Sequence, residues 1–326
     1  MLKRMTPKIS FIIVSFNTRE LLDRCLASIR AYTQDIAYEV IVVDNASRDG
    51  SPRMVREKYP EAILIQSAEN LGFGRANNLG FKRSRAPFVM LLNSDALLQE
   101  STAAPLVKFL ERKRSAGIVS PDVVLLNGER QTKTRGMLPS ARVMLNQNML
   151  LSRLFPASQF FAGLYVEADW GQETRIGWVS GVCMVIRREV YDQTGGFDPG
   201  IFMYAEDVDL CRRAHDAGWE TWRVNAHAVK HLCGGSTKTH TQMLRNRVLQ
   251  QRNFIKLLDR SMGPFGRLAT RASLVGGLIL RVIIRGVYSF TGAEEAQLSF
   301  HADVRCFADF VGIIKVLPGD SYAHRN

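Results

Sequence analysis

The chain of 326 residues is expected to fold as an α/β protein. Its central sheet should be Rossmann-like, mostly parallel and flanked by helices, with a helical appendage at the C-terminus. Two observations carry this. Over the first hundred residues, short apolar runs of strand length alternate with segments of helical period, as in successive β-α-β units. Those runs are apolar almost throughout instead of alternating, as strands covered on both faces are. A third observation separates the appendage: the positive charge is concentrated beyond residue 237.

The elements follow in order. ISFIIVS, at Ile9–Ser15, reads as the first strand. Residues 19–31 place Leu22, Leu26 and Ile29 on one helical face. EVIVVD at 39–44 is a second strand, ending in the turn-rich run NASRDGS. Residues 52–58 read as a helix, 62–66 as a strand, 74–83 as a helix and 88–92 as a strand. Residues 127–172 are weakly patterned and should form loops with a short helix. WVSGVCMVIR, at 178–187, returns to strand character. Residues 206–218 read as a helix with acids in the first turn and glycine at the end, as capping and the helix dipole favour.

Composition narrows the function classes. The net charge is +12. Residues 1–237 carry 30 Lys and Arg against 25 Asp and Glu, whereas residues 238–285 carry ten basic residues and one acid, Asp259. A local excess of this kind marks a surface that meets something anionic. The five cysteines, Cys25, Cys183, Cys211, Cys233 and Cys306, are scattered and odd in number. They suit buried, reduced thiols better than a disulfide framework. The basic N-terminus with its short apolar run lacks the features of a signal peptide. No apolar stretch reaches the roughly 20 residues that span a bilayer. No P-loop or G-x-G-x-x-G occurs, which counts against ATP and NAD chemistry.

In open α/β sheets, ligands sit beyond the carboxyl ends of the strands. Asn17, Asp44, Asn93 and Asp95 all fall there. In VVDNASRDGS, Asp44 at a strand end can accept hydrogen bonds from a nucleobase or ribose, although such residues also simply make turns. In LLNSDA, Asn93 and Asp95 stand two apart, so a continuing strand would point both the same way. Two oxygen ligands on one face suit a hard divalent cation, Mg²⁺ or Mn²⁺. MYAEDVDLCRR puts Glu206, Asp207 and Asp209 at a helix start. Dipole compensation asks for one or two acids; three crowd together and raise one another's pKa, as suits a general base. His231 in HLCGGS is either a metal ligand or a structural histidine. NLGFGRANNLG, at 70–80, offers amides, glycines and Arg75 before a helix, a setting that favours phosphate.

The order SFN, VVDNASRDGS, NLGFGRANNLG, LLNSDA, WVSGVCMVIRRE, GGFDPGIFMYAEDVDLCRRAHDAGW and HLCGGS resembles family 2 glycosyltransferases of the GT-A fold. Within them it is most similar to bacterial rhamnosyltransferase-like and galactofuranosyltransferase-like members, over about residues 9–236. The resemblance implies an inverting transferase that moves a sugar from a nucleotide-diphosphate donor to a hydroxyl of a glycan or lipid-linked acceptor in cell-surface polysaccharide synthesis. It also implies residue roles. Asp207 is the general base. Asn17, Asp44, Asn45, Asn70, Arg75, Asn77, Asn93 and Asp95 serve the donor. Trp178 and Gly181 line the acceptor and sugar pocket, and Glu206 and Asp209 orient the acceptor or support the helix. Asp95, Asn93 and His231 hold Mg²⁺ or Mn²⁺. Asn93 departs from the family's D-x-D pattern and removes one negative charge from the site. Rhamnose from dTDP-rhamnose is the leaning donor. Galactofuranose or N-acetylhexosamine from a UDP donor, or a non-catalytic nucleotide-sugar binder, are the rival readings.

On this reading residues 1–237 form the catalytic domain and 238–326 a basic, mainly helical region. On a helical wheel, Arg267, Arg271, Arg281 and Arg285 fall within about 80° on an otherwise apolar segment. Such a stripe suits an interfacial helix on an anionic membrane. The expected location is therefore cytoplasmic and peripheral, on the inner face of the cytoplasmic membrane. No aromatic-interleaved basic motif supports nucleic-acid binding.

Overall fold

A computed structural model describes residues 6–167, 173–232 and 240–289. Cys233, Cys306, the GGS that ends HLCGGS and the tail from residue 290 lie outside the described residues. The chain divides into two compact units, with boundaries after Leu138, Ala168 and Lys238. The C-terminal limit falls where charge composition changes. The segment 139–168, expected within the catalytic domain, instead groups with the C-terminal helices.

The first unit opens with β1 (Ile9–Ser15), α1 (Arg19–Tyr32), β2 (Tyr38–Asp44), α2 (Ser51–Lys58), β3 (Ile63–Gln66), α3 (Gly72–Arg83) and β4 (Phe88–Leu92). It continues with β5 (Ala96–Leu97), α4 (Ala103–Arg112), β6 (Ala116–Ser120), β7 (Val123–Val124) and β8 (Arg135–Gly136). The second unit then contributes α5 (Ala141–Asn148) and α6 (Leu151–Leu154). Back in the first unit come β9 (Glu173–Ile176), β10 (Trp178–Val179), β11 (Cys183–Arg187), α7 (Arg188–Thr194), α8 (Glu206–Asp216), β12 (Glu220–Val224) and β13 (Val229–His231). The helices α9 (His240–Ser261) and α10 (Pro264–Ser289) close the second unit.

The main sheet has eight strands in the order β3-β2-β1-β4-β11-β6-β12-β9. It is parallel from β3 to β4, then β11 enters antiparallel to both β4 and β6. Every residue of β4, β6 and β11 is buried, which is why they read as continuous apolar runs and not as alternating ones. Phe11, Ile13, Val42 and Met90 belong to a core cluster with Leu22, Leu26 and Ile29 of α1, the face the sequence marked. The expected single strand over 178–187 is broken: β10 pairs with β8, β11 joins the main sheet, and Ser180–Val182 forms the break. Beside the main sheet, β13 pairs with β5 and β7 in a small three-stranded sheet. Cys25, Cys183 and Cys211 are buried and free, and burial pushes all three thiols up.

Within the second unit, α10 packs on α5. At Gly277 a Cβ would stand 2.6 Å from the Cβ of Asn148, so only glycine admits this approach. The Asn148 amide donates to Ser273 Oγ at 3.2 Å.

Candidate active site

The strand ends of the main sheet are tied together before any ligand is considered. Asn17 lies just past β1 in the left-handed region, φ 53°. Its side-chain Oδ1 accepts from Arg48 N at 2.8 Å, and its backbone N–H donates to Ser47 Oγ at 2.9 Å. Thr18 Oγ1 donates to Ser94 Oγ at 3.0 Å and lies 3.0 Å from Ser15 Oγ, linking the ends of β1 and β4 through hydroxyls. Asp44 closes β2 and is 2% exposed. One carboxylate oxygen accepts from Ser47 N at 3.0 Å; the other is buried with no partner. A buried acceptor left over in this way calls for a donor from outside the protein, as the imide or ribose hydroxyl of a nucleotide supplies.

Past β4 the chain turns at once. Ala96 N donates to Asn93 O at 3.0 Å, so Asn93 and Asp95 lie in a turn and not on a continuing strand. The two-residue strand period therefore does not govern them. What the turn does is bring Asp95 to His231 at the end of β13: His231 Nε2 lies 3.0 Å from Asp95 Oδ1. The other ring nitrogen, Nδ1, lies 2.8 Å from Gln131 Oε1. An amide oxygen only accepts, so the proton sits on Nδ1. A neutral ring then turns its Nε2 lone pair toward a carboxylate oxygen, and the two repel unless a proton or a cation lies between them.

Asp95 Oδ1 and His231 Nε2, 3.0 Å apart, are a carboxylate and an imidazole that could serve as ligands of a divalent ion. No third His, Cys, Asp or Glu joins them among the described residues. Two protein ligands, with waters and phosphates completing the shell, is a usual arrangement for Mg²⁺. Gln131, one hundred residues from His231 in sequence, had no local signal to mark it. Gln131→Ala is expected to weaken Mn²⁺ binding about 10–100-fold, the usual effect of removing a group that orients a metal-bound histidine, while Gln131→Glu retains it. Titration of Mn²⁺ by paramagnetic resonance checks this, and equal affinity in the alanine variant would exclude the orienting role.

The second acidic group stands at α8. The chain enters that helix through Tyr204 and Ala205, both left-handed at φ 68° and 71° and neither a glycine. Such residues cost about 1–3 kcal/mol each and gather where geometry serves a site. The entry sets Asp207 against the break between β10 and β11. Its Oδ2 accepts from Gly181 N at 3.3 Å and its Oδ1 from Val208 N at 2.8 Å. Burial raises the Asp207 carboxyl to about 6, against the lowering effect of those N–H groups. Burial and the adjoining Asp207 charge also raise Glu206, whose Oε2 is buried with no partner.

The segments that carry Asp95 and hold Asp207 are neighbours where β4 ends and β11 begins. Asn93 N donates to Val182 O at 3.0 Å, where β4 and β11 are neighbours. Asp95 follows Asn93 by two residues, and Asp207 is held by Gly181, one residue before Val182.

Other expected site residues are placed differently. Asp209 is 6% exposed and ion-paired to Arg213 at 2.7 Å, one turn along α8, which is the helix-supporting alternative. Trp178 is 3% exposed, its ring packed inside. The segment expected to cradle phosphate holds protein. α3 begins at Gly72, two residues earlier than expected. Its first N–H groups are taken: Gly72 N by Asn70 Oδ1 at 2.9 Å and Phe73 N by Phe202 O at 3.2 Å. Gly72 has φ 78°, and a Cβ there would stand 2.2 Å from Phe202 O. Arg75 Nε donates to Pro199 O at 2.8 Å, and Asn77 is buried with its amide on Phe73 O. Asn45 bonds Leu71 N and Gly72 O. Phe73 N and Arg75 thereby tie the start of α3 to the 197–202 loop that leads into α8, while Asn45, Asn70 and Asn77 bond within 71–73.

The loop carrying Gln131 is anchored by a buried ionic cluster that the motifs did not reveal. Asp122 pairs with Arg135 at 2.5 Å, with Arg130 at 3.4 Å and with Arg223. Burial alone would raise the Asp122 carboxyl, but the guanidiniums, Arg223 foremost, hold it below the ordinary carboxylate range.

This topology is that of the GT-A fold of glycosyltransferases. The mannosyltransferase PcManGT from Pyrobaculum calidifontis, solved with GDP-Man and Mn²⁺, is similar with a TM-score of 0.59 at 18% identity, over 94% of this chain and 86% of that one. The sequence model of the glycosyl transferase family 2 matches residues 10–195, and the chain belongs to that family. An N-acetylglucosaminyl-diphospho-decaprenol L-rhamnosyltransferase of Mycobacterium tuberculosis is 29% identical over 297 residues, covering 85% of this chain and 92% of the relative. Rhamnosyltransferase WbbL of Escherichia coli is 24% identical over 76% of this chain and 96% of its own length.

Proposed function

We propose that this glycosyltransferase moves L-rhamnose from dTDP-rhamnose, with inversion, to a hydroxyl of a lipid-linked glycan during cell-surface polysaccharide synthesis. What supports the reading is that Asp44 ends β2, Asp95 follows β4 with His231 3.0 Å away, and Asp207 is bonded to Gly181 just before β11, so that all stand at the same end of the main sheet's central strands. The names of the mycobacterial and Escherichia coli relatives support the sugar, and the mycobacterial name supports a lipid-linked diphosphate acceptor.

Each group has one task. Asp44 accepts a hydrogen bond from the donor's base or ribose through its unpartnered oxygen. Asp95 and His231 would hold Mg²⁺ or Mn²⁺, which would supply positive charge to offset what builds on the leaving diphosphate. Asp207 takes the proton of the acceptor hydroxyl. The acceptor oxygen forms its bond to C1 as the bond from C1 to the diphosphate breaks, and the nucleoside diphosphate leaves with the electron pair. A single displacement inverts the anomeric carbon. The raised pKa of Asp207 matches it to this work at neutral pH.

The sign of the pH effect follows. A base acts only when ionised, so kcat/KM should be level above about pH 6 and fall roughly tenfold per unit below it. An unshifted aspartate would hold the plateau down to about pH 4. A profile flat from about pH 7 to 4.5 would therefore remove Asp207 as the titrating base. The donor is tested with dTDP-rhamnose, UDP-galactofuranose and UDP-N-acetylglucosamine, each with Mn²⁺ or Mg²⁺ and a lipid-linked acceptor. Transfer from dTDP-rhamnose alone is expected; preference for a UDP-sugar would overturn the rhamnose reading and leave the fold assignment standing.

A further inference from the structure

We propose that the face of α10 opposite α5 is an anionic-membrane docking surface, entered by its apolar side chains; this rests on the lipid-linked acceptor proposed above. The helix buries Thr270, Ser273, Leu274, Gly277 and Leu278. On the other side it exposes Phe265 by 89%, Leu268 by 68%, Ile279 by 47% and Ile283 by 60%. With Ala272 and Val275, these fall within an arc of about 80° at 100° per residue. A long helix of a water-soluble surface ordinarily shows one apolar stripe; this one shows two.

The arginine arc lies beside the exposed stripe, not across from it. Arg271 pairs with Asp259 at 2.7 Å and Arg267 donates to Met262 O at 2.8 Å. The side chain of Arg285 is outside the described residues. Two of the four arginines thus hold the α9–α10 hairpin, and the apolar stripe is the part left facing outward. Charge selects the occupant. Residues 238–285 contain ten basic side chains and one acid, so the segment carries net positive charge, which an anionic lipid surface complements and a second copy would repel. No helix among the described residues is long and apolar enough to cross a membrane. A helix with an apolar face and basic flank lies in the plane of the interface.

The test uses the full chain and sedimentation with vesicles. One set is phosphatidylcholine alone and the other an equal mixture with phosphatidylglycerol. Binding to the anionic vesicles, weakened by salt, is expected. The triple variant Leu268→Glu, Ile279→Glu, Ile283→Glu should lose about tenfold or more in affinity, because it replaces inserted apolar area with repelled charge. All three side chains are exposed, and unchanged rhamnose transfer to a water-soluble acceptor shows that the variant is folded. That control also separates this idea from the proposed function: loss of vesicle binding with transfer intact supports the docking surface alone. Equal vesicle binding by the variant would overturn it. So would a wild-type dimer that the variant breaks into monomers, since the stripe would then join two copies.

Discussion

Asp207→Asn is expected to lower kcat by about 10²–10⁴-fold, the range for removing a general base. The donor Kd should barely move, because Asp44, Asp95 and His231 are untouched. The amide keeps the size of the side chain and one acceptor for the N–H groups of Gly181 and Val208. A fall in kcat without a change in donor affinity marks an interaction made in the transition state and not in the ground state. Steady-state rates with a donor titration by calorimetry make the distinction. Turnover within about threefold of wild type would rule out a base at this position.

The second large effect is on stability. Asp122→Asn should destabilise the fold by about 3–5 kcal/mol, the cost of breaking a buried ion pair by removing one partner. The side chains of Arg135 and Arg223 are 8% and 7% exposed, and both lose the carboxylate they share. The contrast is with Arg30 and Glu61, paired at 2.5 Å but each more than half exposed; Glu61→Gln should cost under about 1 kcal/mol. Urea denaturation of the two variants compares them directly. If Asp122→Asn costs no more than Glu61→Gln, the cluster is not what secures the 122–135 loop.

Much of the first half of the molecule was legible because β1, β2 and β4 are mostly buried and largely apolar. β1 and β4 have the limits their apolar runs suggest. The break at Ser180–Val182 was hidden for the same reason: Trp178, Val179 and Val182 are apolar and buried, so hydropathy runs through a point where the backbone leaves one sheet for another. Within the site, acids at strand and helix ends were visible as residue types, and the structure brings Asp95 to His231 across 136 positions. Their neighbours were not visible. Asn70, Arg75 and Asn77 look like a ligand cradle, because amides and glycines before a helix suit an anion and a protein carbonyl equally well. In the structure the carbonyls of Phe202 and Pro199 take up Phe73 N and Arg75 Nε, contacts that no local pattern foretells. Gln131 and Asp122 act through partners about a hundred residues away, a distance at which no spacing rule operates.

The excursion of the chain through 139–168 has a practical consequence for anyone dissecting this protein. α5 lies in the middle of the sequence, yet its packing partner α10 comes from the far end. Cutting the gene at residue 238 would not release a tidy catalytic module. It would strip α5 of its cover, baring the side of that helix where Asn148 meets Ser273 and Gly277, and a shortened product that aggregates would report this orphaned helix and say nothing about catalysis.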